Sequence, residues 1–200
     1  MDAIVEATLQ VLLDKGVPGF NTTRVAERAG VSVGTLYQYF PNKQSLLLAI
    51  KARYTTQVMG AIHALIRGQI GRPLEKALKT IVLDVLRIKI ENRHFTLVMG
   101  AAGASQLDNS TLRAGTRQLC EAMEALLRAA KPRLVDVRMK AKVLVSAIDG
   151  VIMAALAESP KLLEDKKFRD ALVALALGFV DAPRPIRTAG AGPTLRLRTG

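Results

Sequence analysis

The chain has 200 residues, half of them hydrophobic, and a formal net charge of +12 at pH 7. This length suffices for one or two small domains, and this hydrophobic content excludes a chain that is disordered throughout. The longest apolar run, at 171–180, is half as long as a membrane-spanning helix requires, and the amino terminus lacks the positive charge of a secretory signal. The single cysteine, Cys120, excludes an internal disulfide framework. We therefore expect a cytoplasmic protein with no membrane segment.

The positive charge is spread unevenly along the chain. Residues 1–51 carry five basic and four acidic side chains, a net charge of +1, whereas residues 52–181 carry 20 and 13, a net charge of +7. The last stretch, 182–200, has four arginines and no acidic residue. Because nucleic-acid-binding surfaces are normally basic, charge alone directs attention to the second half of the chain, although the informative motif lies in the first.

Stretches rich in alanine, leucine and charged residues, with little alternation of β-branched residues, predict an all-α fold. We expect a first helix over 2–15, which Gly16 ends. A second, short helix has Thr23 as its cap and ends at Gly30, and a third is capped by Ser32.

A fourth helix follows the cap residue Asn42 and runs to about residue 66, since Pro41 ends the helix before it. Amphipathic patterns then predict five longer helices, at 73–91, 94–106, 109–130, 135–158 and 166–180. The chain is thus predicted to have a three-helix head at 1–47, a helical body at 48–181 and a disordered basic tail at 182–200.

The second and third helices, with the glycine turn between them, have the layout of a helix-turn-helix, in which the second helix enters the DNA major groove. The residues expected to pack inside are Ala26, Ala29, Val31, Leu36 and Phe40. The outer face of the third helix then carries small residues first and larger ones behind, namely Val33, Gly34, Thr35, Gln38 and Tyr39. This taper suits a helix whose first turn approaches base edges, and hydroxyl and amide groups bind phosphates or bases without adding charge.

The stretch "GFNTTRVAERAGVSVGTLYQYFPNKQSL", at 19–46, resembles the DNA-binding domain of TetR/AcrR-family transcriptional regulators. The resemblance covers about 45 residues and matches the family in both spacing and residue type. A second segment, "SAIDGVIMAAL" at 146–156, is similar to the penultimate helix of many members. The resemblance implies that the head is a DNA-binding domain, and that the fourth helix joins it to a ligand-binding and dimerisation domain. Members usually have an arginine before the first helix, where this chain has only Met1.

By this resemblance, Lys43, Tyr37 and either Thr22 or Thr23 hold the phosphate backbone, and Arg24 contacts a guanine. The residues implied to face the bases are Val33, Gly34, Thr35 and Gln38, with Tyr39 on the same outer face. From the residues alone, two alternatives stay open: the tyrosines close a small core, or Arg24 is an ordinary surface side chain.

The body is expected to form a dimer and to bind an effector. The last helix is apolar all round and the one before it carries small residues, so both are expected to pair with a second copy. The residues predicted at that interface are Ser146, Ala147, Gly150, Ala154, Leu172, Leu175 and Phe179. The candidates for an effector pocket are Met59, His63, Leu86, Phe95, Met99 and Met123, with plain core packing as the alternative for each.

Together with the predicted dimer, the resemblance implies a repressor that binds a palindromic operator in double-stranded DNA as a homodimer and is released by a small-molecule effector. No cofactor or metal is expected, because His63, His94 and Cys120 are far apart in sequence. The glycines at 100–105 lack the lysine of a phosphate-binding loop, and no catalytic constellation indicates an enzyme. The alternative is a helical protein-interaction module whose DNA-binding head is vestigial.

Overall fold

The computed structural model of the chain describes residues 1–101 and 109–181. Over these residues it contains nine α-helices, one short 3-10 helix and no strand, which confirms the all-α prediction. The α-helices are α1 Asp2–Gly19, α2 Thr22–Ala29, α3 Val33–Tyr39, α4 Lys43–Arg67, α5 Leu74–Glu91, α6 Arg93–Ala101, α7 Ser110–Ala130, α8 Val137–Glu158 and α9 Lys166–Asp181, and the 3-10 helix Pro160–Glu164 precedes α9.

The observed helix bounds follow the predicted ones closely. The ends of α5, α7, α8 and α9 fall within two residues of their predicted positions. In α1, Gly16 leaves the helical conformation with φ 62°, at the position where the sequence predicts a stop, but one further turn continues to Gly19. The second part of the predicted helix 94–106, most of the glycine-containing stretch 100–105 and the tail 182–200 lie outside the described residues.

Two apolar clusters hold the described helices together. The first, called the head core, joins α1, α2, α3, the amino half of α4 and α6, and includes Leu12, Leu36 and Phe95. The second, called the body core, joins the carboxyl half of α4 to α5, α7, α8 and α9, and includes Leu78 and Met123. Tyr54, midway along α4, packs against both clusters. Because α4 contributes to both cores, a displacement of this helix in the body reaches the head.

The carboxyl half of α4 packs directly against α7. Gly115 of α7 is buried against Met59 of α4, and a Cβ at this glycine would lie 2.7 Å from the Cγ of Met59. Side chains do not tolerate such a distance, so the two helix backbones approach this closely because residue 115 has no side chain.

The end of α9 is fixed on α8 by a buried lysine. Only 9% of Lys140 is exposed, and its Nζ donates hydrogen bonds to the backbone oxygens of Val180, at 2.9 Å, and Phe179, at 3.4 Å. A cation placed there bonds carbonyls that have no partner within the helix and balances the negative end of the helix dipole. The sequence gives no sign of this role, since lysine is rarely buried.

Among the described residues, no helix combines the length and the apolarity needed to cross a bilayer.

Candidate nucleic-acid interface

The turn between α2 and α3 is closed by backbone hydrogen bonds around Gly30. This residue has φ 69°, in the left-handed region that glycine adopts without strain. The N–H of Val31 donates to the carbonyl of Ala26 at 3.0 Å, and the N–H of Gly30 donates to Ala26 and Glu27. This pattern is the Schellman ending of a helix. Gly30 therefore sets the point at which α2 ends and the chain turns towards α3.

The predicted cap of α2 was wrong by two residues. The cap is Asn21, whose Oδ1 accepts a hydrogen bond from the backbone N–H of Arg24 at 2.9 Å, and Thr23 lies within the first turn of the helix. Asn21 has the extended backbone that a cap requires, with φ −145° and ψ 161°. The predicted cap of α3 has the expected geometry, since the Ser32 hydroxyl accepts from the N–H of Thr35 at 3.0 Å.

Packing of the motif's inner face presents the other face of α3 to solvent. The side chains of Val25 and Leu36 are fully buried, and Phe40 is 6% exposed. Ala26 is also buried, whereas Ala29 and Val31 are half-buried.

The outer face of α3 is accessible along the whole helix. Tyr37 is 45% exposed and Tyr39 is 54% exposed, so the alternative in which the tyrosines close a core is wrong. Val33, Gly34 and Gln38 are exposed as well, and Thr35 is half-buried beside the Ser32 hydroxyl at 2.9 Å. The predicted residues therefore form one continuous surface that begins with small side chains and ends with aromatic ones.

Polar groups from α2 and α4 border this surface. The hydroxyl oxygens of Thr22 and Tyr37 are 3.1 Å apart, so the start of α2 and the middle of α3 share a hydrogen bond. Thr23 is exposed next to Thr22. Lys43, the first residue of α4, holds its Nζ 4.8 Å from the centre of the Phe20 ring, a cation–π contact that fixes the amino group near the head. Hydroxyl and ammonium groups at the rim of a recognition helix are suited to phosphate oxygens.

Arg24 has a structural contact that sequence reasoning missed. Its Nη1 donates to the carbonyl oxygen of Gly19 at 2.6 Å, at the end of α1. This bond occupies one of the five N–H donors of a guanidinium group, and the side chain is exposed. A second cross-helix pair, between Arg28 and Asp14 at 2.5 Å, ties α2 to α1. Basic residues of α2 thus also hold α1 and α2 together.

A cavity of about 210 Å³ lies between α4, α5, α7 and α8 in the body. Of the six predicted effector-pocket residues, Met59 and Met123 line it. His63 is half-buried and Leu86 is part of the body core, and neither lines the cavity. Most of the wall is aliphatic, with Thr116, Ser146 and Asp149 as its polar side chains.

Phe95 and Met99 do not line the cavity, because α6 packs them into the head core. The Phe95 ring stacks on Tyr54 of α4 with 3.7 Å between ring centroids. The Tyr54 hydroxyl lies 3.4 Å from the Asn92 carbonyl oxygen, and burial raises the pKa of Tyr54 to about 12. Phe95 and Met99 therefore belong to the head, and the stack of Phe95 on Tyr54 joins α6 to α4.

The predicted dimer surface on α8 and α9 is largely accessible. Ser146, Gly150 and Ala154 are exposed on α8, Leu175 of α9 is 47% exposed, and Ala147 and Phe179 are half-buried. Leu172 is only 3% exposed and packs into the body core, so it adds little area to any surface between copies. Sequence reasoning missed further exposed apolar residues on α8, namely Met139, Val143 and Val151.

Within 1–101 and 109–181, no group of three or more histidine, cysteine, aspartate or glutamate side chains is placed to hold a metal ion. His63 is half-buried and His94 is exposed. Cys120 is half-buried, and burial raises the pKa of its thiol.

Two short helices joined by a glycine turn, with an exposed polar face on the second, define a helix-turn-helix DNA-binding protein. Two family models match the chain: "Bacterial regulatory proteins, tetR family" over residues 4–50, and "Tetracyclin repressor-like, C-terminal domain" over residues 73–179. The chain belongs to the TetR family and is a DNA-binding transcriptional regulator.

Individual relatives agree with this assignment. The HTH-type transcriptional regulator BetI of Cronobacter sakazakii is 31% identical over 166 residues, which cover 80% of this chain and 82% of that protein. Among solved structures, Salmonella enterica GusR has a TM-score of 0.63 at 21% identity, covering 90% of this chain and 95% of that one. FadR from Bacillus subtilis, solved in complex with stearoyl-CoA, has a TM-score of 0.58 at 20% identity, covering 90% and 95%. The two structures share the fold of this chain.

Proposed function

We propose that this regulator is a cytoplasmic repressor that binds a palindromic operator as a homodimer and releases it when a small molecule occupies the cavity of the body. The observation that carries the proposal is the exposed outer face of α3, which Leu36 and Phe40 anchor from behind.

In the DNA complex, the first turn of α3 lies in the major groove. Val33 and Gly34 offer no side-chain hydrogen bonds, so they contact apolar features such as thymine methyl groups, while Thr35 and Gln38 read polar base edges. Tyr37, bonded to Thr22, and Lys43 bind phosphates on either side. Because residues 1–51 have a net charge of only +1, these local contacts supply the affinity in place of a strongly basic surface.

Two copies pair through α8 and α9. The exposed small residues of α8, including Gly150 and Ala154, allow a second helix to approach closely, and Leu175 supplies apolar area beside them. An interface built on one surface of each copy has two-fold symmetry, so the two α3 helices address two inverted half-sites.

The effector acts through α4. Met59 and Ile62 of α4 line the cavity, while Leu46 and Ile50 of the same helix belong to the head core. A ligand that favours one position of α4 therefore changes the placement of the head, and its affinity difference between the two positions sets the size of the response. The neighbour FadR from Bacillus subtilis, which shares the fold, was solved in complex with stearoyl-CoA, and this supports a small-molecule ligand for the present chain.

The DNA contacts are tested by measuring binding to related and unrelated duplexes over a range of salt concentrations. A sequence-specific repressor binds its operator roughly 10³-fold or more tightly than unrelated DNA. Lys43→Ala should weaken binding to all sequences alike. It should also make the negative slope of log K against log salt shallower by about two, which is about one per protomer. Gln38→Ala should instead change the preferred bases. Equal affinity for every duplex would support the rival interpretation, a protein-interaction module with a vestigial head.

The dimer is tested separately by sedimentation. Leu175→Glu places a charge in the proposed interface and should yield a folded monomer with weakened operator binding. Exposed Leu162, which precedes α9, gives a matched control, since Leu162→Glu should leave the dimer intact. A wild-type chain that sediments as a monomer contradicts this part of the proposal.

A further inference from the structure

A groove between α7 and α8 has cationic walls. It encloses about 560 Å³, and both helices contribute to it, with Arg117 on α7 and Arg138 and Lys142 on α8. Among the described residues, none of these three side chains lies within 4.0 Å of a carboxylate. Their charges are thus not used to hold the described part of the fold together.

The charge balance of the groove favours an anion. Its lining includes four cationic residues, Arg113, Arg117, Arg138 and Lys142, and two carboxylates, Glu121 and Glu124. Arg113 already takes part in another interaction, so the balance is drawn with the other three cations. Glu124 is already paired with Arg128, which lies outside the lining, at 2.6 Å. Glu121 is then the one lining carboxylate without an ion pair within the described residues. A cluster of guanidinium groups is well suited to carboxylate or phosphate, because each can form two parallel hydrogen bonds.

The groove meets the apolar cavity of the body. Thr116 of α7 and Ser146 of α8 line both spaces. Along α8, Ser146 lies one turn after Lys142 of the groove and one turn before Gly150 of the cavity wall, so the cavity opens towards the groove. One molecule can therefore extend from the cationic groove into the aliphatic interior.

The cavity itself accepts an aliphatic chain and no free charge. Its wall includes Ile62, Ile81 and Leu119. The single carboxylate in the wall, Asp149, is paired with the nearly buried Lys89 at 2.8 Å, so the pair has no net charge. A methylene group takes up ~30 Å³, about the volume of a water molecule in the liquid. The cavity of about 210 Å³ therefore holds roughly seven methylene groups.

We propose that the effector is an amphipathic anion of medium chain length, whose aliphatic tail fills the cavity and whose phosphate or carboxylate head lies in the α7–α8 groove between Arg117, Arg138 and Lys142. This inference rests on the proposed function, because it identifies the ligand class of the cavity through which α4 is controlled. It adds a head-group site that the cavity alone does not provide.

The test uses octyl compounds below their micellar concentrations, with binding to the full chain followed by calorimetry. The probes are octyl phosphate, octanoate, octyl glucoside, octyltrimethylammonium and inorganic phosphate. We expect octyl phosphate or octanoate to bind about tenfold or more tightly than octyltrimethylammonium, and inorganic phosphate to bind weakly because it lacks the tail. Tighter binding of octyl phosphate than of octanoate identifies the head as a phosphate, and the reverse identifies a carboxylate.

A matched pair of variants assigns the site. The groove variant carries Arg117→Gln, Arg138→Gln and Lys142→Gln. The control variant removes the same number of positive charges at exposed positions outside the groove and the cavity. It carries Arg72→Gln, Lys76→Gln and Lys79→Gln. The groove variant should bind octyl phosphate about tenfold more weakly and octyl glucoside as the wild type does. The control should bind both probes unchanged.

Cys120 provides a direct report of position, since it lines the groove and is the single cysteine of the chain. Octyl phosphate should slow alkylation of this thiol. Any of three results would overturn the inference. They are alkylation that is not slowed at saturating octyl phosphate, an unchanged octyl phosphate affinity in the groove variant, and binding of octyltrimethylammonium as tight as that of octyl phosphate.

Operator binding is measured in parallel. A chain that binds specific DNA but none of the octyl probes overturns this inference alone, whereas groove binding without specific DNA binding overturns the proposed function.

Discussion

We expect the substitution Gly115→Ala to force α4 and α7 apart. The new methyl group would lie 2.7 Å from the Cγ and 2.9 Å from the Cβ of Met59. A rotation about the side-chain bonds of Met59 can move its Cγ, but the Cβ is fixed to the backbone of α4, so the helix itself must shift. Overpacking of this kind typically costs about 1–3 kcal/mol.

Gly60→Ala is the matched control, because Gly60 lies next to Met59 in α4 and a Cβ there would meet no atom within 4 Å. Both substitutions gain the helix propensity of alanine, about 1 kcal/mol, so the difference between the two variants isolates the clash. We expect Gly115→Ala to be less stable than Gly60→Ala by about 1–3 kcal/mol in urea denaturation at unchanged slope.

The same displacement should affect operator binding, because the amino half of α4 belongs to the head core. Gly115→Ala should therefore weaken operator affinity more than Gly60→Ala does when both proteins are folded. Equal stability of the two variants would contradict the close packing of Gly115 against Met59. Equal operator affinity despite a stability difference would instead refute the coupling through α4.

Three further outcomes are expected. Lys140→Met should lower the free energy of unfolding by about 1–3 kcal/mol, because the substitution removes the hydrogen-bond donor to backbone carbonyls at the end of α9. The control Lys142→Met, at an exposed position, should change this free energy little, and urea denaturation measures both. The pKa of Tyr54 is raised to about 12, so the folded chain keeps a proton that the unfolded chain gives up near pH 10. The free energy of unfolding should therefore fall as the pH rises from about 10 to about 12. Tyr54→Phe should lack this loss when the denaturation midpoints are compared across that range. Asn21→Ala should lower the free energy of unfolding by about 1 kcal/mol, because it removes the cap of α2, and Thr23→Ala should lower it clearly less. A larger effect at residue 23 in thermal or urea unfolding would contradict the assigned cap.

The head could be predicted from the sequence because its signals are local. The glycine at residue 30, the cap at Ser32 and the four-residue spacing of Leu36 and Phe40 each act within a few positions of the chain, and the structure reproduces them. The error at the cap of α2 arose because Asn21 and Thr23 are both good cap residues. The choice between them depends on which residue adopts the extended backbone.

Most of the missed features depend on contacts between distant parts of the chain. Periodicity marks Phe95 and Met99 as buried, but cannot tell that α6 packs them into the head core instead of the cavity wall. Leu172 lies on a helix that is apolar all round, so only docking against the body core shows which side faces inward. The bond between Arg24 and Gly19 likewise requires the end of α1 to fold back on α2.

Selection of bound duplexes from random sequence tests the central proposal most directly. We expect an enriched palindrome whose half-site centres lie one helical turn, about 10–10.5 base pairs, or a multiple of it apart. Repeating the selection with Gln38→Ala should change the preferred bases at matching positions of both half-sites and leave the spacing unchanged. An absence of any enriched sequence, or a single unpaired site that Gln38→Ala does not alter, would contradict reading of the operator by paired α3 helices.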